Sequence, residues 1–80
     1  MNKVEIVNGL NRIKQHYANL RGDIIVKAVP KFVFDKGLGL FKAEYDEYTK
    51  ALLEEINRQE REAIRELEKE YGIELEGEQL

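Results

Sequence analysis

The 80-residue sequence predicts an α+β fold: an N-terminal amphipathic helix, a short β-hairpin and a long, charged C-terminal helix. Three observations carry this. Apolar residues recur at helical spacing over the first quarter of the chain, the spacing turns to alternation after Asp23, and residues 44–71 contain neither Gly nor Pro. An all-α helical hairpin is the alternative, should the middle segment be helical instead of extended.

Ile6, Leu10, Ile13, Tyr17 and Leu20 follow one another at steps of four, three, four and three, which places them on one stripe of a helix over residues 3–21. Asn2 is positioned to cap it, Glu5 completes a capping-box spacing, and Gly22 stands where a left-handed terminal residue is wanted. Gly9 in the interior costs ~1 kcal/mol relative to Ala, so this helix depends on packing.

Over residues 24–42 a hairpin is expected. Ile24, Val26, Ala28, Phe32 and Phe34 share one parity while Lys27, Lys31 and Asp35 share the other, the pattern of a half-buried strand. Pro30 cannot donate to a ladder, so the strand is an edge or is broken there. Asp35, Lys36 and Gly37 read as a turn, with Leu38, Leu40 and Lys42 on the returning arm. In the competing reading Ile24, Ile25, Ala28 and Val29 form a short helix that Pro30 ends.

In residues 44–71, Tyr45, Thr49, Leu52, Ile56, Ala63, Leu67 and Tyr71 fall on one helical face, and Gly72 followed by Ile73 fits a Schellman ending. Asp46, Lys50, Glu54, Arg58 and Glu62 alternate in sign at steps of four, which marks a water-facing stripe. Residues 72–80 read as a frayed acidic tail. The whole, residues 1–80, reads as one domain.

A 28-residue helix is ~42 Å long, whereas a compact chain of 80 residues is roughly 30 Å across. A first helix of nineteen residues covers only about two thirds of it. Ile56, Ala63, Ile64, Leu67 and Tyr71 are therefore expected to form a self-association seam, most simply in an antiparallel homodimer. Leaving several such side chains wet forfeits ~1.5 to 3 kcal/mol each.

Composition excludes several chemistries. There is no Cys, no Ser, one Thr (Thr49) and one His (His16), so Ser- or Cys-based nucleophilic catalysis and a thiolate zinc site are out of reach. The glutamates alternate with Lys and Arg on a face built for water, which gives no reason to assign an active site. Gly37-Leu38-Gly39 lacks the rest of any phosphate-binding loop. No catalytic residue, metal site or cofactor is assigned. The longest aliphatic run, Ile24-Ile25-Val26, is far short of a membrane span, and the first residues do not form a secretory signal. A cytoplasmic setting is the expectation.

Charge is lopsided: residues 1–42 hold eight Lys or Arg against three acids, and residues 43–80 hold five against thirteen. The function expected is a small non-catalytic protein-binding module, of adaptor or inhibitor type. It would act as a homo-oligomer and offer Glu54, Glu55, Glu62 and Glu66 to a basic surface on another, unidentified protein. The alternative is nucleic-acid binding, with Phe32 and Phe34 (and Phe41) stacking bases and Lys27, Lys31, Lys36 and Lys42 following phosphates. Against it, Phe32 and Phe34 are expected to be needed for the core.

Overall fold

The computed structural model describes residues 3–75. Helix α1 (Lys3–Lys27) leads into strands β1 (Lys31–Asp35) and β2 (Leu40–Glu44), and helix α2 (Glu47–Tyr71) completes the fold. The α+β architecture is as expected from the sequence, with one shift of boundary that changes its meaning.

Helix α1 does not stop at Gly22. It continues through Ile24, Ile25 and Val26, the residues expected to begin a strand, and the Ala28 amide still donates to the Ile24 carbonyl at 3.0 Å. The physical reason lies in the stripe. Ile24 and Ala28 extend the series from Leu20 by two more steps of four, and Pro30, which disfavours helical geometry in the residue before it, provides the stop. Asn2, the expected cap, lies outside the described residues.

Both helices are 25 residues long, about 37 Å. They run antiparallel side by side, so the distal turns of α2 lie against the first turns of α1. This overturns the expected mismatch of lengths. Ile64 is 4% exposed and Leu67 8%, both covered within the chain. A Cβ built on Gly9 would stand 3.1 Å from Leu67 Cδ1, so the missing side chain is what lets the helices close at that point. Ile6, one turn earlier, is the buried residue of α1.

The α1–α2 seam also contains charge. Arg21 donates to Asn57 Oδ1 at 3.1 Å and to both carboxylate oxygens of Glu60, at 3.1 and 3.4 Å. Glu60 is only 3% exposed. It occupies the position between Ile56 and Ala63 where the apolar face of α2 skips a turn.

Helix α2 starts at Glu47, three residues later than expected, because Asp46 caps it: the Thr49 amide donates to Asp46 Oδ1 at 2.7 Å. It ends in the expected Schellman geometry. Gly72 has φ 63°, its amide donates to Lys69 O at 3.3 Å, and the Ile73 amide donates to Glu68 O at 3.0 Å. The Leu75 amide then donates to Glu68 Oε2 at 3.0 Å, so residues 72–75 fold back instead of fraying; the tail beyond them lies outside the described residues.

Arg21→Ala leaves the Glu60 carboxylate buried without its partner and should cost roughly 2 to 3 kcal/mol by urea denaturation. Arg21→Met with Glu60→Leu should recover most of that loss, because the penalty comes from an unpaired charge. At the closest helix approach, Gly9→Val should cost ~1 to 3 kcal/mol by forcing its methyls onto Leu67.

Candidate functional site

The hairpin is built locally. Lys31 faces Glu44, Phe32 faces Ala43, Val33 faces Lys42, Phe34 faces Phe41 and Asp35 faces Leu40. In the connecting turn, Asp35 Oδ1 accepts from the amides of Gly37 and Leu38 at 2.9 and 3.1 Å, and the Gly39 amide donates to Asp35 O at 2.8 Å. Gly39 takes φ 68°, a left-handed value that suits glycine.

This register sorts the side chains onto two unlike faces, because directly paired residues project to the same side. One face carries Phe32, Phe34, Phe41 and Ala43. The other carries Lys31, Lys42, Asp35 and Glu44 around Val33 and Leu40, with Lys42 Nζ 3.5 Å from Asp35 Oδ2. Phe34 and Phe41 meet edge to face, centroids 5.2 Å apart.

Nothing else in the described chain covers the aromatic face. Apart from chain neighbours, no Cα of either strand lies within 8 Å of a helix Cα. Phe32, Phe34 and Phe41 are 66%, 49% and 68% exposed, about 350 Å² of aromatic surface in one patch. The expectation that Phe32 and Phe34 serve the core is therefore overturned: the alternation holds only after Pro30, since Ile24 and Val26 are helical, and the core is satisfied by the helices alone. Val26 and Val29, which lead into the hairpin, are exposed as well.

The residues singled out from the sequence fall in three places. Ile56, Ala63, Ile64, Leu67 and Tyr71 all lie on the α2 face turned to α1, buried or half-buried within one chain. Glu54, Glu55, Glu62 and Glu66 are exposed on the opposite side of α2. There Arg58 pairs with both Glu55 and Glu62, and Lys69 Nζ lies 3.6 Å from Glu66. The acidic row is thus largely neutralised by its own helix. The Arg58 guanidinium, helped by the Gln59 amide, holds the Glu55 carboxyl down at about 2, and Glu55 in turn raises Arg58.

Lys31 and Lys42 sit on the hairpin face opposite Phe32 and Phe34, while Lys36 is in the turn and Lys27 ends α1. Cations and aromatics are not interleaved on one surface. His16 is exposed with its ring edge-on to Tyr17, centroids 4.8 Å apart. Among the described residues no group of three His, Cys, Asp or Glu gathers in metal-holding geometry, and no helix is long and apolar enough to cross a membrane.

One surface escaped the sequence reading. On α1, the side turned away from the buried stripe is rich in amides, Asn8, Asn11, Gln15 and Asn19, with Arg12 at its border. The low amphipathicity of this helix was the available signal: apolar residues such as Val4, Val7, Ile25 and Val26 are exposed outside the buried stripe.

Glu55 titrates lower in the folded chain than its ordinary 4.5, so the stability it contributes is complete above that value and fades as pH falls toward about 2. Urea midpoints should therefore drop between about pH 6 and about pH 3, and by less in Glu55→Gln than in the wild type. No family model, curated protein or solved structure matches this chain.

Proposed function

We propose that this chain is a non-catalytic protein-binding module, cytoplasmic and homo-oligomeric, whose aromatic hairpin face docks onto an apolar surface of a second protein. The observation that carries the reading is the uncovered Phe32, Phe34 and Phe41 on a two-stranded sheet. An isolated hairpin is marginal in water, and three strands or a packed helix are ordinarily needed to hold one. A patch of this size on so small a body is the usual mark of an interface. Lys31 and Lys42 lie on the other face of the hairpin, so the partner surface that the aromatic face calls for is chiefly apolar. The glutamates of α2 are less suited to docking, since Arg58 and Lys69 already satisfy three of them.

Surface exposure supports the need for company. The chain exposes 6355 Å², where a compact monomer of 9.4 kDa exposes ~5,000 Å². The excess, about 1,000 Å² or more, is comparable to the ~800 Å² that each partner contributes to a standard interface.

A photo-crosslinking residue replacing Phe41 should capture a discrete partner in the source cell, and the same partner should be lost from a Phe32→Ser, Phe34→Ser, Phe41→Ser variant of unchanged helicity. Retention of every partner by that variant would overturn the reading. Salt-dependent retention of single-stranded oligonucleotides, weakened by Lys31→Glu, would instead establish nucleic-acid binding.

A further inference from the structure

We infer that two copies of this chain pair edge to edge through β1, antiparallel and centred on Val33, to make a four-stranded sheet in the order β2-β1-β1-β2. The inference rests on the homo-oligomeric reading above and assigns it a surface, and it leaves the aromatic face free for the second protein.

An antiparallel ladder uses the backbone groups of alternate residues and turns those of the others outward. The sheet has two strands, and no helix of the described chain comes near it beyond the chain neighbours, so β1 keeps an open edge of five residues. Such an edge is a template for another strand. Pro30 stands just before it and has no amide to offer, which confines the template to Lys31–Asp35.

The order of residues along this edge names the occupant. Lys31-Phe32-Val33-Phe34-Asp35 is symmetric about Val33 except that its two ends carry opposite charges. A second β1 running the other way therefore sets Lys31 against the other copy's Asp35, Phe32 against Phe34, and Val33 against its own equivalent. Each pair joins residues an even number of positions apart, so outward-turned backbone groups meet outward-turned ones. Directly paired side chains share a face, and opposite charges or aromatic rings so placed attract. Asp35 then lies between its own Lys42, whose Nζ is 3.5 Å away, and the other copy's Lys31, which also has its own Glu44 across the hairpin. On the opposite face the rings Phe41 and Phe34 of one copy continue into Phe32 of the other.

Other pairings lose this match. Parallel strands in register would put Lys31 beside Lys31 and Asp35 beside Asp35. Centring the antiparallel pair on Phe32 or Phe34 sets one of the two charges against Val33 and carries the other past the end of the facing strand. Pairing through β2 about its own middle would oppose Lys42 to Lys42, and a lysine in that place is a usual guard of a free edge. The chosen pairing also answers the marginal stability of a lone hairpin, since four strands with an apolar face can hold where two do not. It is closed and isologous, so it stops at two copies.

Sedimentation of the full chain tests the inference over a concentration series up to ~1 mM, since a seam this short belongs to the weak class. The wild type should sediment as two chains at the top of the series. Lys31→Glu with Glu44→Lys keeps an opposite-charge pair within each hairpin but sets Glu against the other copy's Asp35, so it should sediment as one chain with unchanged helicity. The chain has no cysteine, so single replacements report cleanly. Val33→Cys should oxidise to a covalent dimer, because directly opposite Cα atoms lie ~4.5 to 5.5 Å apart, within reach of a disulfide. Lys42→Cys should not, being three strand spacings, ~14 Å, from its equivalent. A two-chain wild type that the charge-reversed pair leaves intact overturns the β1 seam while the homo-oligomeric reading stands. A single-chain wild type overturns both. Failure of Val33→Cys to cross-link overturns the seam even if the charge-reversed variant fails to fold.

Discussion

Two helices can share only one seam, and that constraint governs the rest of this molecule. A pair of cylinders buries a strip of each and leaves most of both in water, so among the described residues three hydrophobic ones are buried, Ile6, Ile64 and Leu67, and no side chain is fully enclosed. Globular domains ordinarily close a core between two complete layers. Here the strip must be used closely. Gly9 brings the backbones together over Leu67, and the Arg21–Glu60 pair, joined by Asn57, fixes where along the strip the helices meet. An ion pair in such a place contributes less to stability than to register, since sliding one helix by a turn would strand Glu60 among apolar neighbours.

The hairpin follows from the same constraint. With the seam closed by α1 and α2, nothing in the described chain remains to cover a sheet, and the long axis of 50 Å exceeds the ~37 Å of either helix because the hairpin projects from the pair. A radius of gyration of 16.5 Å against ~12 Å for a compact chain of this length states the same fact. The hairpin nonetheless has a fully specified turn, a diagonal ion pair between Lys42 and Asp35, and a clean division into aromatic and charged faces. Specification of that kind, on an element that adds nothing to the chain's own core, is what a docking surface requires and a mere connector does not.

Much of this was legible in the sequence, and the failures have definite causes. The stripe from Ile6 to Leu20, the alternation of Phe32 and Phe34, and the Gly72-Ile73 ending carried the α+β architecture. Gly22 misled because glycine at a helix end and glycine on an exposed helix side look alike in one dimension. Ile24 is compatible with both a strand parity and the helical stripe, and the choice falls to Pro30, which can stop a helix but cannot be bonded into a ladder. That five- or six-residue difference then propagated: a short α1 leaves the tip of α2 bare, whereas the full α1 covers it. The Arg21–Glu60 pair showed in sequence only as a gap in an apolar face, which pattern-seeking for apolar residues overlooks.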